Sequence, residues 1–325
     1  DDAVLIPRSA ANTPCRAGVR TPARLLFLRF RRVVDLPYSA GMKFFQVGLV
    51  FFVFSGMAWA ANVEFTWTEV SREQMDSTYL SPRGRSLLED PLFKWDHAQT
   101  EHFVIHFERK PFASKVGKLA EFFYDFIASD LKSAQDLAKG RSHLFIFRDE
   151  KDWGHFVQNY GVQMEWAFSL VEGMTMYLQQ ADDQGTSADV LGHEMTHMVF
   201  NRFYSGRLPL WLNEGTAEWY GEFAYEAFKG VRRNKRQVFR RLTREYPMAS
   251  LIEASDYPAD PEAVRAYYET SKYLVGFLQI RYPEETFEPF LHDIVRGMST
   301  LDALRTHYGI NSIEQLSAEF RTFSR

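Results

Sequence analysis

Cysteine is almost absent from this sequence: Cys15 is the only one among 325 residues. A single cysteine excludes an intramolecular disulfide and a zinc module built from cysteine thiolates. The sequence also lacks an excess of positive charge, with a formal net charge of −4, and it has no internal repeat or low-complexity run. We therefore expect no nucleic-acid partner, because nucleic-acid-binding domains carry a basic surface.

The composition is that of a globular protein, with 46% hydrophobic, 16% aromatic and 25% charged residues. Residues 1–41 differ from the rest because they contain seven arginines and show little periodicity. This pattern predicts that residues 1–41 are translated sequence upstream of the true start of the protein at Met42. The alternatives are an extended basic n-region of a signal peptide and an arginine-rich organelle transit peptide. Residues 61–325 keep 30 basic and 39 acidic residues and thus a formal net charge of −9.

Residues 42–60 have the pattern of a bacterial signal peptide. Lys43 precedes an apolar run from Phe44 to Phe54, and Ala58-Trp59-Ala60 fits the small-x-small rule for cleavage before Ala61. A retained membrane anchor and a buried core segment are the alternatives. The sequence therefore predicts a periplasmic or secreted protein, which is membrane-anchored if the segment is not cleaved.

Residues 61–95 show few regular patterns and are predicted as an N-terminal segment without clear regular structure, and the main domain is expected at 96–325. Alternation predicts strands at 102–107, 143–147, 166–172 and 174–180. Helical periodicity predicts helices at 114–139, 149–160, 186–204 and 210–227, and broken helices after Gly230. We expect an α+β fold: a small N-terminal mixed sheet with the helix at 186–204, then a mostly helical C-terminal lobe.

The segment from Gly192 to His197 reads GHEMTH, with two histidines four residues apart on a predicted helix. Residues at i and i+4 share a helix face, so both imidazoles can bind one ion, and Glu194 lies beside them as a base for water. The opposite side carries an apolar stripe that would bury the helix: Leu191, Met195, Met198 and Val199. The alternative is two histidines on an ordinary helix that binds no metal.

Downstream, residues 211–215 read WLNEG on the next predicted helix. A HExxH motif followed by such a helix resembles the gluzincin zinc metallopeptidases, above all the aminopeptidase N-like enzymes and the bacterial peptidase MA-like domains. The resemblance implies a zincin-type fold, Zn²⁺ as the cofactor, and His193, His197 and Glu214 as its ligands. Sixteen residues separate His197 from Glu214, slightly fewer than in the best-known members, which implies a shorter connecting loop.

The same resemblance implies roles for two further residues. Glu218 matches an acidic residue that hydrogen-bonds a metal-binding histidine in thermolysin-like members, and such a partner orients the ring. Tyr268, in the segment AYYETSKYL, matches the tyrosine of a Y-E-K-G segment that stabilises the oxyanion, although Thr270 and Ser271 replace the Lys-Gly pair. Tyr267 is the alternative.

The resemblance also implies that the strand at 174–180 borders the cleft and pairs with an extended substrate, with an ordinary edge strand as the alternative. Eight basic residues between 229 and 244 predict a solvated helix face, or else a face that contacts a phospholipid surface or an acidic polymer. The remaining seven histidines show no shared ligand spacing, and His102 and His106 are interpreted as structural.

Together these observations predict an exported zinc-dependent peptidase that hydrolyses peptide or protein substrates with metal-activated water. Glu194 is the expected proton acceptor. The sequence lacks the Gly-rich, Met-Glu-Asn type segment with which classical aminopeptidases hold a free amino terminus, and this favours an endopeptidase slightly. The alternative function is a non-catalytic periplasmic binding or assembly protein that retains the zincin fold.

Overall fold

The computed structural model describes residues 65–131, 136–162, 169–180, 188–204, 207–231, 234–239 and 241–324. The predicted upstream extension at 1–41, the predicted signal peptide at 42–60 and the start of the 61–95 segment lie outside the described residues. The proposed domain boundary at residue 96 stays a prediction. Within the described residues, no helix combines the length and apolar character needed to cross a membrane.

The six described strands form one mixed sheet. They are β1 (Thr68–Val70), β2 (Asp96–Gln99), β3 (Phe103–Phe107), β4 (Ser142–Phe147), β5 (Ser169–Glu172) and β6 (Thr175–Gln179). Their order across the sheet is β1-β2-β3-β4-β6-β5. Strands β3, β4 and β6 run parallel, and the other neighbours pair antiparallel. The parallel strands β3, β4 and β6 are buried along their whole length, as is typical of strands covered on both faces.

Helices cover both faces of this sheet and form the C-terminal part of the chain. They are α1 (Pro82–Glu89), α2 (Lys110–Asp130), α3 (Glu150–Asn159), α4 (Ala188–Phe203), α5 (Leu210–Phe228), α6 (Lys235–Val238), α7 (Met248–Glu253), α8 (Pro261–Arg281), α9 (Phe287–Val295), α10 (Thr300–Tyr308) and α11 (Ile313–Ser324). The structure thus confirms the predicted α+β class with a mixed sheet and helices after it.

Each face of the sheet has its own apolar core. The larger core joins one face, including Ile105, Leu144 and Met176, to α2, α4, α5 and the C-terminal helices. The smaller core joins the other face, including Phe145 and Phe147, to α1 and α3. This division follows from alternation, since successive strand residues point to opposite faces. The predicted metal-binding helix α4 packs on the face of the larger core.

Two predictions about helices were wrong. Helix α2 ends at Asp130, not at Lys139. Beyond the end of α2, the Asp136 carboxylate accepts a hydrogen bond of 2.8 Å from the backbone N–H of Ala138, two residues later. It accepts another of 2.6 Å from Tyr124 Oη. Such a local turn competes with the helix. The second concerns the segment at 61–95, for which no helix was predicted: Pro82–Glu89 form α1, and the Ser81 side chain at its start accepts a hydrogen bond from the Gly84 N–H.

The basic segment at 229–244 is not a continuous helix either, because only Lys235–Val238 is helical among its described residues. Several of its charges are paired within the chain. Lys235 Nζ lies 2.8 Å from Asp130 Oδ1, and Arg244 lies 3.3 Å from Glu262 Oε2. The predicted contact of this segment with a membrane surface stays a prediction.

Three histidines form a buried chain on the sheet face of the smaller core. Nδ1 of His97 lies 2.9 Å from Nδ1 of His106, and Nε2 of His106 lies 2.9 Å from Nδ1 of His143. Burial lowers the pKa of His97 and His106, and it lowers the pKa of His143 to about 4. The rings are therefore neutral at neutral pH. They come from three different strands, so spacing along the sequence does not reveal the cluster.

Helices α4 and α5 cross at a pair of glycines beside the predicted metal ligands. A Cβ atom on Gly192 would lie 3.0 Å from the Gly221 carbonyl oxygen, and one on Gly221 would lie 2.9 Å from the His193 backbone nitrogen. The absence of both side chains lets the two backbones approach closely. This contact determines how near His193 lies to the acidic side chains of α5.

We expect Gly221→Ala to lower the free energy of unfolding by about 1–3 kcal/mol, because the added methyl group meets backbone that cannot move aside. Urea unfolding followed by circular dichroism measures the change. The matched control is Gly154→Ala in α3, where a Cβ atom would meet nothing within 4 Å. There we expect a gain of about 0.5–1 kcal/mol from the better helix propensity of alanine. If Gly221→Ala were as stable as the unmodified chain, the backbones of α4 and α5 would have to lie farther apart than the structure shows.

Candidate metal centre

Helix α4 presents both motif histidines to one side. Nε2 of His193 lies 3.1 Å from Nε2 of His197, with the ring planes at 80°. The apolar stripe predicted on the opposite side is buried in the larger core: Leu191, Met195, Met198 and Val199. Burial of that stripe fixes the rotation of the helix and turns the two imidazoles away from the core. The predicted start of this helix at residue 186 lies outside the described part of the chain.

Helix α5 brings Glu214 to the two histidines. Its Oε2 atom lies 3.4 Å from His193 Nε2 and 3.9 Å from His197 Nε2, and the residue is only 4% exposed. One ligand atom from each of the three side chains lies within 4.8 Å of the others. Two imidazoles and one carboxylate are a donor set typical of catalytic zinc, which leaves a further coordination position open.

The electrostatics of this cluster fit a bound cation. Burial opposes the charge on Glu214, but the hydrogen bond from His193 and the nearby histidine charges outweigh it and lower the pKa of Glu214 to about 2. Burial likewise opposes a charged His193, yet hydrogen bonds to Glu214 and Glu218 raise the pKa of His193 well above its usual value. The histidines and the buried carboxylate thus stabilise one another's charges, and a buried charge needs either such a partner or a metal ion.

Each histidine has a partner for its second ring nitrogen. Nδ1 of His193 lies 3.1 Å from Glu218 Oε1, and the role of Glu218 as partner of a metal ligand stays a prediction. Nδ1 of His197 lies 3.2 Å from Asn213 Oδ1. Sequence reasoning missed Asn213, although it lies in the WLNEG segment. Such partners orient the rings and favour a proton on Nδ1 when Nε2 binds a metal.

Glu194 lies between the two histidines in sequence and is held by the sheet. Its Oε1 atom accepts a hydrogen bond of 2.8 Å from Ser169 Oγ, and Ser169 is buried at the start of β5. This bond orients the carboxylate that is predicted to accept the proton. No motif points to Ser169, because a lone serine in a short strand carries no pattern.

The two candidate tyrosines for oxyanion stabilisation lie side by side on α8 but in different surroundings. The ring of Tyr268 is centred 6.4 Å from the ring of His193, whereas Tyr267 is fully buried in the larger core. Burial, together with the charge of Glu214, raises the pKa of Tyr268, so its hydroxyl stays protonated and can donate. Between the two, Tyr268 lies nearer the histidine cluster.

A third tyrosine, Tyr257, contacts the cluster and was not predicted. Its hydroxyl donates a hydrogen bond of 2.8 Å to Glu214 Oε1. The ring stacks on Tyr268 with centroids 5.9 Å apart and planes at 10°. Tyr257 comes from the segment between α7 and α8, which has no recognisable motif, so no signal in the sequence points to it.

The strand predicted to border the cleft is not at an edge. Strand β6, which corresponds to the prediction at 174–180, pairs with β4 on one side and β5 on the other. Both of its edges are therefore occupied, and it has no free backbone groups for a substrate. Among the described strands, β5 forms this border of the sheet, and it carries Ser169 beside α4.

Comparison with known proteins adds little to this geometry. No family model matches the chain, and no curated protein matches it. Among solved structures, leukotriene A4 hydrolase from Saccharomyces cerevisiae is similar with a TM-score of 0.41 and 16% sequence identity. The match covers 69% of this chain and 37% of that protein, so the chain spans well under half of its length. Similarity at this level carries no argument about the activity.

Proposed function

We propose that this chain is a zinc-dependent peptidase with a zincin-type fold. The observation that carries the proposal is the convergence of His193, His197 and Glu214, with one ligand atom of each within 4.8 Å of the others. Glu194 follows His193 directly and is oriented by a buried serine. A protein that only stores metal has no need of an oriented carboxylate beside the metal ligands, so this feature favours catalysis over the non-catalytic alternative.

These three side chains would hold a zinc ion, which when bound would act as a Lewis acid toward the scissile carbonyl and lower the pKa of water. Glu194 accepts the proton of the attacking water and then delivers it to the leaving amine. Tyr268, with its raised pKa, donates a hydrogen bond to the oxygen on which negative charge develops. Glu218 and Asn213 keep the two histidine rings in position.

The proposed substrate is a peptide or protein, with internal cleavage slightly favoured because the sequence lacks a segment for holding a free amino terminus. Export through residues 42–60 is part of the proposal and follows from the signal-like pattern alone. Expression of the full sequence in a bacterium, with mass analysis of the exported form, tests it. An exported chain that begins at Ala61 is the expected product.

The activity itself is tested by zinc analysis and cleavage of a proteome-derived peptide library. We expect one zinc per chain, cleavage of library peptides, loss of cleavage after dialysis against a chelator, and recovery when zinc is restored. Zinc without cleavage of any peptide would support the non-catalytic binding protein instead. Failure of the purified protein to bind added zinc would contradict the zinc-dependent peptidase.

We expect Ser169→Ala to reduce kcat/KM by about tenfold to a hundredfold without loss of zinc. The hydroxyl donates to a charged carboxylate, and such hydrogen bonds contribute about 1.5–3 kcal/mol. Peptide cleavage and zinc content are measured together. The control is Ser86→Ala, which removes an exposed hydroxyl bonded to the Pro82 carbonyl oxygen in α1. Unchanged kcat/KM in Ser169→Ala would show that Glu194 needs no such support.

A further inference from the structure

Tyr257 combines an exposed position with a contact to a buried group. The residue is 45% exposed and lies between α7 and α8. Its hydroxyl nevertheless reaches Glu214 Oε1 at 2.8 Å, in a residue that is only 4% exposed. The bond therefore connects the protein surface to the innermost acidic group of the histidine cluster.

The two oxygens of Glu214 have different surroundings. Oε2 faces the histidines, at 3.4 Å from His193 Nε2 and 3.9 Å from His197 Nε2. Oε1 accepts the hydrogen bond from Tyr257, and the side-chain amide of Asn213 lies 3.4 Å from the same atom. Hydrogen-bond donors thus occupy one oxygen, while the other points to the place where the ligand atoms converge.

The ring of Tyr257 is itself fixed by α8. It lies parallel to Tyr268 with centroids 5.9 Å apart, and it meets the buried ring of Tyr267 at 76° with centroids 6.4 Å apart. Offset parallel and edge-to-face contacts of this kind are favourable for aromatic rings. The hydroxyl is therefore aimed at Glu214 by packing and not only by its own hydrogen bond.

We propose that Tyr257 is a positioning residue for the metal site. Its hydroxyl holds Glu214 so that only the Oε2 atom of Glu214 coordinates the ion. The proposal rests on the zinc site of the proposed function. A carboxylate can bind a metal through one or both oxygens, and a donor on Oε1 favours the first mode. With one oxygen of Glu214 coordinated, the protein supplies three ligand atoms, and a fourth position stays open for substrate or water.

The test compares zinc and cobalt binding in the unmodified chain and in Tyr257→Phe. We expect Tyr257→Phe to bind zinc about tenfold to a hundredfold more weakly in competition with a fluorescent chelator, because partners of metal ligands contribute to affinity on this scale. We also expect weaker visible absorption of the Co²⁺-substituted variant, since binding through both Glu214 oxygens raises the coordination number. Thermal unfolding of the metal-free proteins shows whether the variant is folded.

The matched control is Tyr282→Phe, which loses a hydrogen bond of 2.9 Å from the tyrosine hydroxyl to Glu319. It should bind zinc within about twofold of the unmodified chain, because its hydroxyl bonds Glu319 and not a residue of the histidine cluster. Unchanged zinc affinity or an unchanged Co²⁺ spectrum in Tyr257→Phe overturns the proposal while the zinc site stands. Failure of the unmodified chain to bind zinc overturns the proposed function and this proposal with it.

Discussion

Glu194→Gln is expected to lower the rate of peptide cleavage by about 10²–10⁴-fold, the range that general acid–base groups contribute. The amide keeps the size of the side chain and can still accept the hydrogen bond from Ser169, but it cannot take a proton from water. Glu194 is not among the side chains whose ligand atoms converge. Zinc affinity should therefore change little, and the loss should appear in kcat.

The comparison that makes this result specific is Glu253→Gln, which alters an exposed carboxylate at the end of α7. Its cleavage rate should equal that of the unmodified chain. Equal rates in Glu194→Gln and the unmodified chain would remove Glu194 from the mechanism. Loss of zinc in Glu194→Gln would show that the carboxylate serves the metal site instead.

The second large effect is expected for Glu214→Gln, which should reduce zinc affinity by more than about 100-fold. A neutral amide is a poor zinc ligand, and the site loses the negative charge that balances the ion. The pKa of Glu214 is lowered to about 2, so the carboxylate that the variant removes is charged at neutral pH. Competition with a chelating indicator measures the affinity.

Glu218→Gln provides the graded comparison for this experiment. Its carboxylate contacts Nδ1 of His193 and not the converging ligand atoms, so its loss should cost about tenfold to a hundredfold in zinc affinity. The ranking of the two variants distinguishes a ligand from a partner of a ligand. A larger loss in Glu218→Gln than in Glu214→Gln would reverse the roles given to the two residues.

The helices that carry the cluster could be predicted because their information is local. The HExxH and WLNEG segments lie on strongly patterned helices, and the stripe from Leu191 to Val199 fixes which side of α4 is buried. The spacing of four residues then brings His193 and His197 together without any knowledge of the fold. Glu214 followed from the family resemblance, and its approach to the histidines depends on the glycine crossing of α4 and α5.

The residues that sequence reasoning missed act across long distances along the chain. Ser169 contacts Glu194 from a strand 25 residues earlier, and Tyr257 contacts Glu214 from a segment 43 residues later. Neither lies in a motif, and tertiary packing alone brings them to the site. The same reason explains the error on β6, since a strand's place in a sheet depends on its pairing partners and not on its own pattern.

Helix ends were the other weak point. Polar side chains end or begin helices through contacts that periodicity does not describe. Asp136 forms a local turn and binds Arg202 of α4 at 2.8 Å, whereas Ser81 caps α1 in a segment for which no regular structure was predicted. Each contact depends on one side chain and its partners. The hydrophobic pattern therefore does not predict where α1 begins or where α2 ends.

The most direct test of the metal centre is calorimetric titration of the chelator-treated protein with zinc. The structure predicts one tight site per chain, abolished in a variant with both His193→Ala and His197→Ala, because these rings and Glu214 supply the ligand atoms. Zinc binding of equal strength in the double variant, or no binding in the unmodified chain, would contradict the proposed site.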